Sequence, residues 1–161
     1  MDEVAFVDAS PLILLAPAGK VDLLRCAARR VVLPSAAHEE ILARGEADPT
    51  VVAIRCATWI ELGGGGSMPD RLRTWDLGDG ESAVLALASQ TKGAIAVIDD
   101  LAARTCAAEL GVKVLGTLGL VIRAKRLGLI VAARPVMLEL RAGGMHLSDR
   151  VLDRALREVG E

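Results

Sequence analysis

Short apolar runs alternate along the chain with longer segments in which apolar residues recur at helical spacing. The apolar runs stop at proline, glycine or acidic residues, as buried parallel strands do, and they cover residues 4–7, 31–33, 58–62, 94–98 and 112–115. The helical patterns cover residues 12–16, 21–28, 35–44, 48–56, 71–75, 82–92, 101–110, 117–127, 135–141 and 148–158. This alternation predicts an α/β fold, a three-layer α/β/α sandwich with a central parallel sheet.

Serine residues mark several predicted helix starts. Ser10 precedes Pro11 as an N-cap, Ser35 follows Pro34 as the cap of the next helix, and Ser148 caps the last helix.

The 161 residues are predicted to form one domain, since neither half shows a complete sheet by itself. Residues 63–69, GGGGSMP, are interpreted as a mobile loop within it, with an interdomain linker as the alternative. Residues 129–161 are predicted to form a C-terminal helical extension of this domain.

Composition narrows the class of protein. The net charge is −2, so any binding of nucleic acid would rest on local patches or on a metal.

Cys26, Cys56 and Cys106 are too scattered for a disulfide frame or a zinc site, and we expect buried thiols in a reducing compartment. Without a basic leader or an apolar run of membrane-spanning length, we expect a cytoplasmic protein that has no membrane partner.

Carboxylates fall at equivalent places in this pattern. Asp8 and the pair Asp99-Asp100 follow strands, Glu81 lies in the first turn of a helix, and Glu40 lies on the helix after Pro34. Ligands of open α/β sheets bind beyond the carboxyl ends of the strands. Acids that converge there repel one another unless a cation neutralises them, and oxygen ligands suit Mg²⁺ or Mn²⁺. Two such ions can activate a water and stabilise the leaving oxygen of a phosphodiester, which is nuclease chemistry.

Each acid also has a purely structural interpretation. Acids in a first helical turn cap free N–H groups and favour the macrodipole, and Glu40 is spaced to pair with Arg44. Asp8 is the harder one to explain in this way, because Ser10 is the better-placed cap. His38 and His146 lie far apart without a partner motif, and we interpret both as surface residues or as residues with satisfied hydrogen bonds.

A dinucleotide-binding fingerprint is the competing motif. Gly78-x-Gly80-x-x-Ala83 matches it, with Asp99 at the expected distance, but the motif requires a buried strand before it. Residues 70–76 are charged and unsuited to such a strand, so we interpret the match as chance.

Several short segments stand out by their order and spacing: VDASPLI at residues 7–13, EEI at 39–41, GDGESA at 78–83, IDD at 98–100 followed by Ala103-Arg104, and LGVKVLGTLG at 110–119. In this order and spacing they resemble PIN-domain proteins, in particular the uncharacterised PIN-like branch akin to bacterial VapC-type toxins. The resemblance covers most of the chain.

This resemblance implies a Mg²⁺- or Mn²⁺-dependent ribonuclease, often a homodimer with a cognate antitoxin as partner. It makes Asp8, Glu40, Glu81 and Asp100 the catalytic, metal-binding acids. It makes Asp99 a further ligand or an acid that supports the ligands, and Ser10 the residue that orients Asp8. The chain departs from the toxin pattern at Glu81, where many members carry Asp, and at residues 98–100, which lack the Thr-Asn-Asp type of sequence.

Two hypotheses of function follow. The first is a metal-dependent endoribonuclease that hydrolyses RNA, as the toxin component of a toxin–antitoxin system. Its phosphate contacts would come from Arg104, Lys113 or Arg123, each of which is otherwise a solvated surface charge. The alternative is a non-catalytic PIN-like module that dimerises or binds a partner, and this alternative requires that the acids do not converge.

Overall fold

Five parallel strands form one sheet in the order β3-β2-β1-β4-β5. The computed structural model describes residues 2–161. The strands are β1 (Asp2–Val7), β2 (Ala28–Pro34), β3 (Ile60–Gly63), β4 (Ile95–Val97) and β5 (Lys113–Leu115). Every predicted strand is present, and β2 is longer than residues 31–33 because the parallel register with β1 begins at Ala28.

Helices connect the strands and cover both faces of the sheet. They are α1 (Ala9–Leu15), a 3-10 helix (Val21–Cys26), α2 (Ser35–Leu42), α3 (Pro49–Cys56), α4 (Asp70–Arg73), α5 (Asp79–Gln90), α6 (Leu101–Glu109), α7 (Thr117–Arg126), α8 (Ala133–Ala142) and α9 (Asp149–Arg157). Among these residues, no helix is both long enough and apolar enough to cross a membrane.

Side chains that alternate along the strands divide the core into two layers. In β1, Ala5 and Val7 belong to one hydrophobic cluster, whereas Val4 and Phe6 belong to the other. The first cluster includes buried residues of α1, α2, α3, α7, α8 and α9, and the second includes buried residues of α4, α5 and α6. The predicted three-layer α/β/α sandwich with a central parallel sheet is therefore confirmed.

The C-terminal helices contribute to the larger of these clusters. Met137, Leu140, Leu152 and Leu156 are buried in it together with Leu120 of α7. Buried side chains of residues 129–161 therefore belong to the same hydrophobic cluster as side chains of the sheet.

The glycine-rich stretch lies against α5. The side-chain amide of Gln90 donates a hydrogen bond of 2.6 Å to the backbone carbonyl of Ser67, and Met68 packs against the second cluster. These contacts connect the loop to the α5 side of the sheet.

Several helix starts differ from the prediction, and capping explains three of the differences. Asp8, not Ser10, is the N-cap of α1: its carboxylate accepts a hydrogen bond from the Ser10 backbone N–H. Pro34 is the N-cap of α2, so Ser35 is already helical and makes no capping bond. The helix α5 begins at Asp79, ahead of the predicted residue 82, because Glu81 closes a capping interaction with the Gly78 backbone.

Two further local predictions are wrong. The segment after Lys20 is a 3-10 helix that ends at Cys26, and Ala28 already pairs in the sheet, which leaves no room for an α-helix over residues 21–28. Cys56 ends α3 and is exposed, whereas Cys26 and Cys106 are buried as expected.

The strand order reverses between β1 and β4, the two strands that pair at the centre of the sheet. The Asp8 backbone N–H donates a hydrogen bond of 3.1 Å to the Val97 carbonyl, which ties the carboxyl ends of these strands together. A reversal of this kind opens a crevice beyond the strand ends, where open α/β sheets bind their ligands.

Candidate metal centre

Asp8 is the most buried acid of the site, with 2% of its surface exposed. It follows β1 directly and its extended backbone begins α1. One carboxylate oxygen, Oδ2, accepts the Ser10 backbone N–H at 3.3 Å. The other, Oδ1, is buried and has no hydrogen-bond partner. A buried oxygen without a partner is costly, so its retention points to a ligand.

Gly80 lies where Asp8 and Glu40 meet. A Cβ atom at Gly80 would stand 2.9 Å from Asp8 Oδ1 and 3.0 Å from Glu40 Oε2. It would also stand 3.5 Å from the Ala37 Cα, because α2 and α5 approach each other closely here. The missing side chain of Gly80 therefore leaves space for two carboxylate oxygens from different elements.

The acids of this region raise one another's pKa. Burial is the largest cause of the raised pKa of Asp8, and the charge of Asp99 adds to it, while hydrogen bonds from Ser10 and Ala9 act in the opposite direction. Burial also dominates the raised pKa of Glu40, with further contributions from the charges of Asp8 and Asp79, against the charge of Arg44.

Glu81 belongs to the same electrostatic cluster. Burial raises its pKa first, followed by the charges of Asp8, Asp100 and Glu40, while the Gly78 backbone N–H lowers it. Mutual repulsion among carboxylates that are partly removed from water is the condition that a bound cation relieves.

Glu81 and Asp100 hydrogen-bond to the helices on which they lie. Glu81 Oε2 accepts the Gly78 N–H at 3.1 Å at the start of α5. Asp100 is exposed and caps α6, where its Oδ1 accepts the Ala103 N–H at 2.8 Å. Both acids therefore make the helix-capping bonds that their positions favour.

Asp99 is held by Thr117, a residue that the sequence did not single out. Asp99 Oδ1 accepts the Thr117 backbone N–H at 2.7 Å, and Oδ2 accepts the Thr117 hydroxyl at 2.6 Å. Thr117 is completely buried at the start of α7, directly beyond β5. Thr117 is separated from β5 by Gly116 alone, and a polar residue so close to the end of a strand is a signal similar to the one that identified Asp8.

The donor atoms suit a divalent cation, although they are not gathered around one point. Among the side chains that the structure describes, those of residues 3–161, no group of three or more His, Cys, Asp or Glu is arranged to hold a metal ion. Asp8 and Glu40 approach a common position at Gly80, and the unpartnered Oδ1 is a hard oxygen donor. Glu81 and Asp100 each use one carboxylate oxygen for a capping bond, which leaves Glu81 Oε1 and Asp100 Oδ2 for a cation.

The basic residues of the sequence hypothesis occupy three separate places. Arg104 lies near Asp99: its Nη1 is 3.1 Å from the point where a Gly116 Cβ would stand, and Asp99 Oδ1 is 3.1 Å from the same point. Lys113 begins β5, at the opposite end of the strand from the acids. Arg123 lies in the second half of α7. Only Arg104 of the three therefore adjoins the acids.

The histidines differ in their surroundings. His38 is half-buried on α2, and His146 is exposed in the segment between α8 and α9.

The dinucleotide-binding interpretation is excluded by the chain path. The Gly78–Ala83 motif begins α5, but the element before it is α4, and the preceding strand β3 is an edge strand. The fingerprint requires a strand that leads directly into the glycine turn.

Comparison with known proteins adds an independent line of evidence. The family model DUF3368, described as a PIN domain, matches residues 4–161. No curated protein matches the chain.

PIN domains are generally nucleases that use divalent metals and bind RNA. The all-parallel sheet and the acids beyond β1 and β4 agree with such a nuclease-type fold. The match extends over nearly the whole sequence, so the chain belongs to the PIN domain family.

Proposed function

We propose that this protein is a metal-dependent endoribonuclease that hydrolyses RNA phosphodiesters with Mg²⁺ or Mn²⁺. The observation that carries the proposal is the buried, unpartnered Asp8 Oδ1, which approaches Glu40 at Gly80 beyond the carboxyl ends of β1 and β4. A helix cap needs one carboxylate oxygen, and Asp8 already supplies Oδ2 for it. The second oxygen and its acidic neighbour are explained by a cation.

Asp8 and Glu40 are the residues that would hold the ion, and Glu81 and Asp100 are the next candidates. When bound, the ion neutralises these carboxylates, activates a water and stabilises the charge on the leaving oxygen. Asp8 is fixed by its bond to Ser10, so it presents Oδ1 without rearrangement. Asp99 supports the site by holding the start of α7 through Thr117.

The accompanying proposal is that the protein is the toxin component of a toxin–antitoxin system, with a cognate antitoxin and a second copy of the chain as partners. Its support is the family resemblance together with exposed apolar side chains in the segment between α7 and α8, where Leu129 is 60% and Val131 94% exposed. Sedimentation of the purified chain, alone and after Val131→Asp, tests the dimer. A monomer in both samples would remove that part of the proposal.

Cleavage of single-stranded RNA with and without Mg²⁺ tests the nuclease. Asp8→Asn is expected to lower cleavage by at least about a hundredfold, because it removes the charge that the cation needs. Glu39→Gln is the matched control, since Glu39 is an exposed neighbour of Glu40 on the same helix. RNA cleavage that persists in Asp8→Asn, or that survives EDTA, would refute a metal-dependent mechanism at this site.

A non-catalytic binding module is the second candidate, and the hydrogen bonds of the other acids favour it. Glu81 caps α5, Asp100 caps α6 and Asp99 binds Thr117, so these three acids have structural roles without a metal. This candidate predicts that a folded protein binds neither Mg²⁺ nor Mn²⁺.

A further inference from the structure

A cleft of about 440 Å³ lies between α7 and α9. Residues at helical spacing line it on both sides: Leu118, Ile122 and Arg126 on α7, and Val151, Arg154 and Glu158 on α9. From the first to the last of these positions α7 rises by ~12 Å. The volume falls within the ~300–1,000 Å³ of typical small-molecule sites.

The apolar lining of this α7–α9 cleft is recessed. Ile122 and Ala155 are 6% and 5% exposed, and Leu115 and Val151 are partly buried against the larger core cluster. A Cβ atom at Gly119 would stand 2.7 Å from Leu115 Cδ1, so the Leu115 side chain keeps this position because residue 119 is glycine. None of the large apolar side chains that are exposed in the described part of the chain lines the cleft.

The charged groups of the cleft differ in how they are paired. Arg126 binds Glu158 at 3.2 Å, so these two charges neutralise each other. Arg154 is exposed, and among the side chains of residues 3–161 it has neither an ion pair nor a hydrogen bond. The cleft therefore combines a recessed apolar lining with a guanidinium group that has no bonded partner.

A slender ligand suits this cleft better than the surface of a protein does. A stable protein interface covers ~800 Å² of each partner, and the exposed apolar side chains that would contribute to one, such as Val131, lie outside the cleft. A hydrocarbon chain enters a narrow recess and is stabilised by leaving water. A carboxylate at the end of that chain matches arginine, which binds it through paired N–H donors.

We propose that the α7–α9 cleft binds an alkyl carboxylate, with the hydrocarbon chain against Ile122, Val151 and Ala155 and the carboxylate on Arg154. None of the acids proposed to bind the metal lines this cleft. The site is therefore independent of the proposed nuclease chemistry, and either can be refuted without the other.

Calorimetric titration of decanoate into the full chain, below the concentration at which decanoate forms micelles, tests the site. The wild type should show saturable binding of one ligand per chain. Ala155→Leu should weaken this binding by at least about tenfold, because the larger side chain occupies the cleft. Ala108→Leu is the matched control, an exposed alanine of α6 whose substitution should leave the affinity unchanged.

Arg154→Gln separates the charge from the apolar contacts, and as a surface variant it also serves if Ala155→Leu does not fold. It should weaken decanoate binding about tenfold, because it removes a charged hydrogen-bond donor. Its affinity for decanol, which has the same chain without the carboxylate, should stay within about twofold of the wild-type value. Arg150→Gln, at an exposed arginine of α9 outside the cleft, should leave both affinities unchanged.

Three results would overturn the site. The first is a folded wild type without saturable decanoate binding, and the second is undiminished binding in folded Ala155→Leu. The third is an equal loss of decanoate and decanol binding in Arg154→Gln. Sedimentation adds a check on the occupant: the wild type and Ala155→Leu should have the same oligomeric state. A dimer that Ala155→Leu converts to a monomer would show that a second copy of the chain fills the cleft instead.

Discussion

Asp8 combines two roles that make opposite demands on one side chain. As the N-cap of α1 it stabilises the fold through Oδ2, while its buried Oδ1 has no partner and faces Glu40. The sequence identified Asp8 through its position after an apolar strand, and that position was enough to predict its place at the sheet edge. The argument that Ser10 is the better-placed cap was wrong, because Asp8 caps α1. Spacing alone does not determine which of two polar residues, two positions apart, caps the helix.

The unpartnered oxygen predicts that a metal-free protein gains stability when Asp8 loses its charge. In the wild type, Asp8 Oδ1 and a Glu40 carboxylate oxygen approach the same position. In Asp8→Asn, the side-chain amide nitrogen replaces Oδ1 and can donate a hydrogen bond to Glu40. The amide oxygen keeps the capping bond from the Ser10 backbone N–H. We expect the free energy of unfolding in EDTA to rise by about 1 kcal/mol, which raises Tm by about 2–4 °C for a chain of this length.

Thermal unfolding measures this change, with Glu39→Gln as the neutral control. In Mg²⁺ the wild type should be the more stable of the two proteins, because it is stabilised by binding the ion and Asp8→Asn is not. A variant that is less stable than the wild type in EDTA would contradict this account of Asp8.

The raised pKa values of Asp8, Glu40 and Glu81 predict a pH dependence of stability. The ordinary values are 3.8 for Asp and 4.5 for Glu, and above them the folded state binds more protons than the unfolded state. These three groups therefore make stability fall as the pH rises from the ordinary values through the raised ones.

Comparison with Asp8→Asn isolates this contribution, since acids with lowered pKa values, such as Asp48 and Glu161, act in the opposite direction in both proteins. In EDTA the variant's advantage in Tm should grow as the pH rises above 3.8 and vanish below it. An advantage that is independent of pH would show that Asp8 is not the titrating group.

The helix α5 is the element that completes the acid cluster. Its first turn contains both Gly80, which leaves space for two carboxylates, and Glu81, which caps the helix. The sequence pattern Gly78–Ala83 matches a nucleotide fingerprint, which was interpreted as chance, and it also contributes to the family resemblance. Its actual role depends on the packing of α5 against α2, a contact between distant parts of the chain that no local pattern contains.

Gly80→Ala tests this role of the helix. The new methyl group would stand 2.9 Å from Asp8 Oδ1 and 3.0 Å from Glu40 Oε2, so these side chains must move apart. Calorimetric titration should show Mn²⁺ affinity reduced by at least about tenfold. Stability should fall by no more than about 2 kcal/mol, because alanine favours the helix while the contact opposes it.

Gly143→Ala provides the matched control at a glycine with ordinary contacts of 3.5 Å and a negative φ. It should leave Mn²⁺ binding unchanged. Equal Mn²⁺ affinity in Gly80→Ala and the wild type would mean that the space beside Gly80 is not part of a metal site.

The parallel sheet with helices on both faces was predictable for the whole molecule, because apolar runs and helical periods alternate so regularly. The strand order was not, since no local pattern shows that β1 pairs with both β2 and β4. Residues 129–161 were predicted as a helical extension of the single domain, but their place in the core was not predicted. In the structure Met137 and Leu156 are buried in the same cluster as Val7 of β1.

This shared cluster predicts that the C-terminal helices stabilise the entire fold. Leu156 is fully buried, and Leu156→Ala should lower the free energy of unfolding by about 2–5 kcal/mol in a urea titration. Leu138→Ala is the control, since Leu138 is 39% exposed on α8 and should change stability by less than about 1 kcal/mol. If Leu156→Ala instead melted only α9 and left the rest of the transition unchanged, the extension would be a separate unit.

The most direct test of the central claim is calorimetric titration of Mg²⁺ and Mn²⁺ into the wild type and into the double variant Asp8→Asn plus Asp100→Asn. We expect saturable binding to the wild type and none to the double variant, with both proteins folded by circular dichroism. We also expect proton release on binding, because the raised pKa values of Asp8, Glu40 and Glu81 fall when a cation joins them. A folded wild type that binds neither ion, or a double variant that binds as tightly as the wild type, would contradict it.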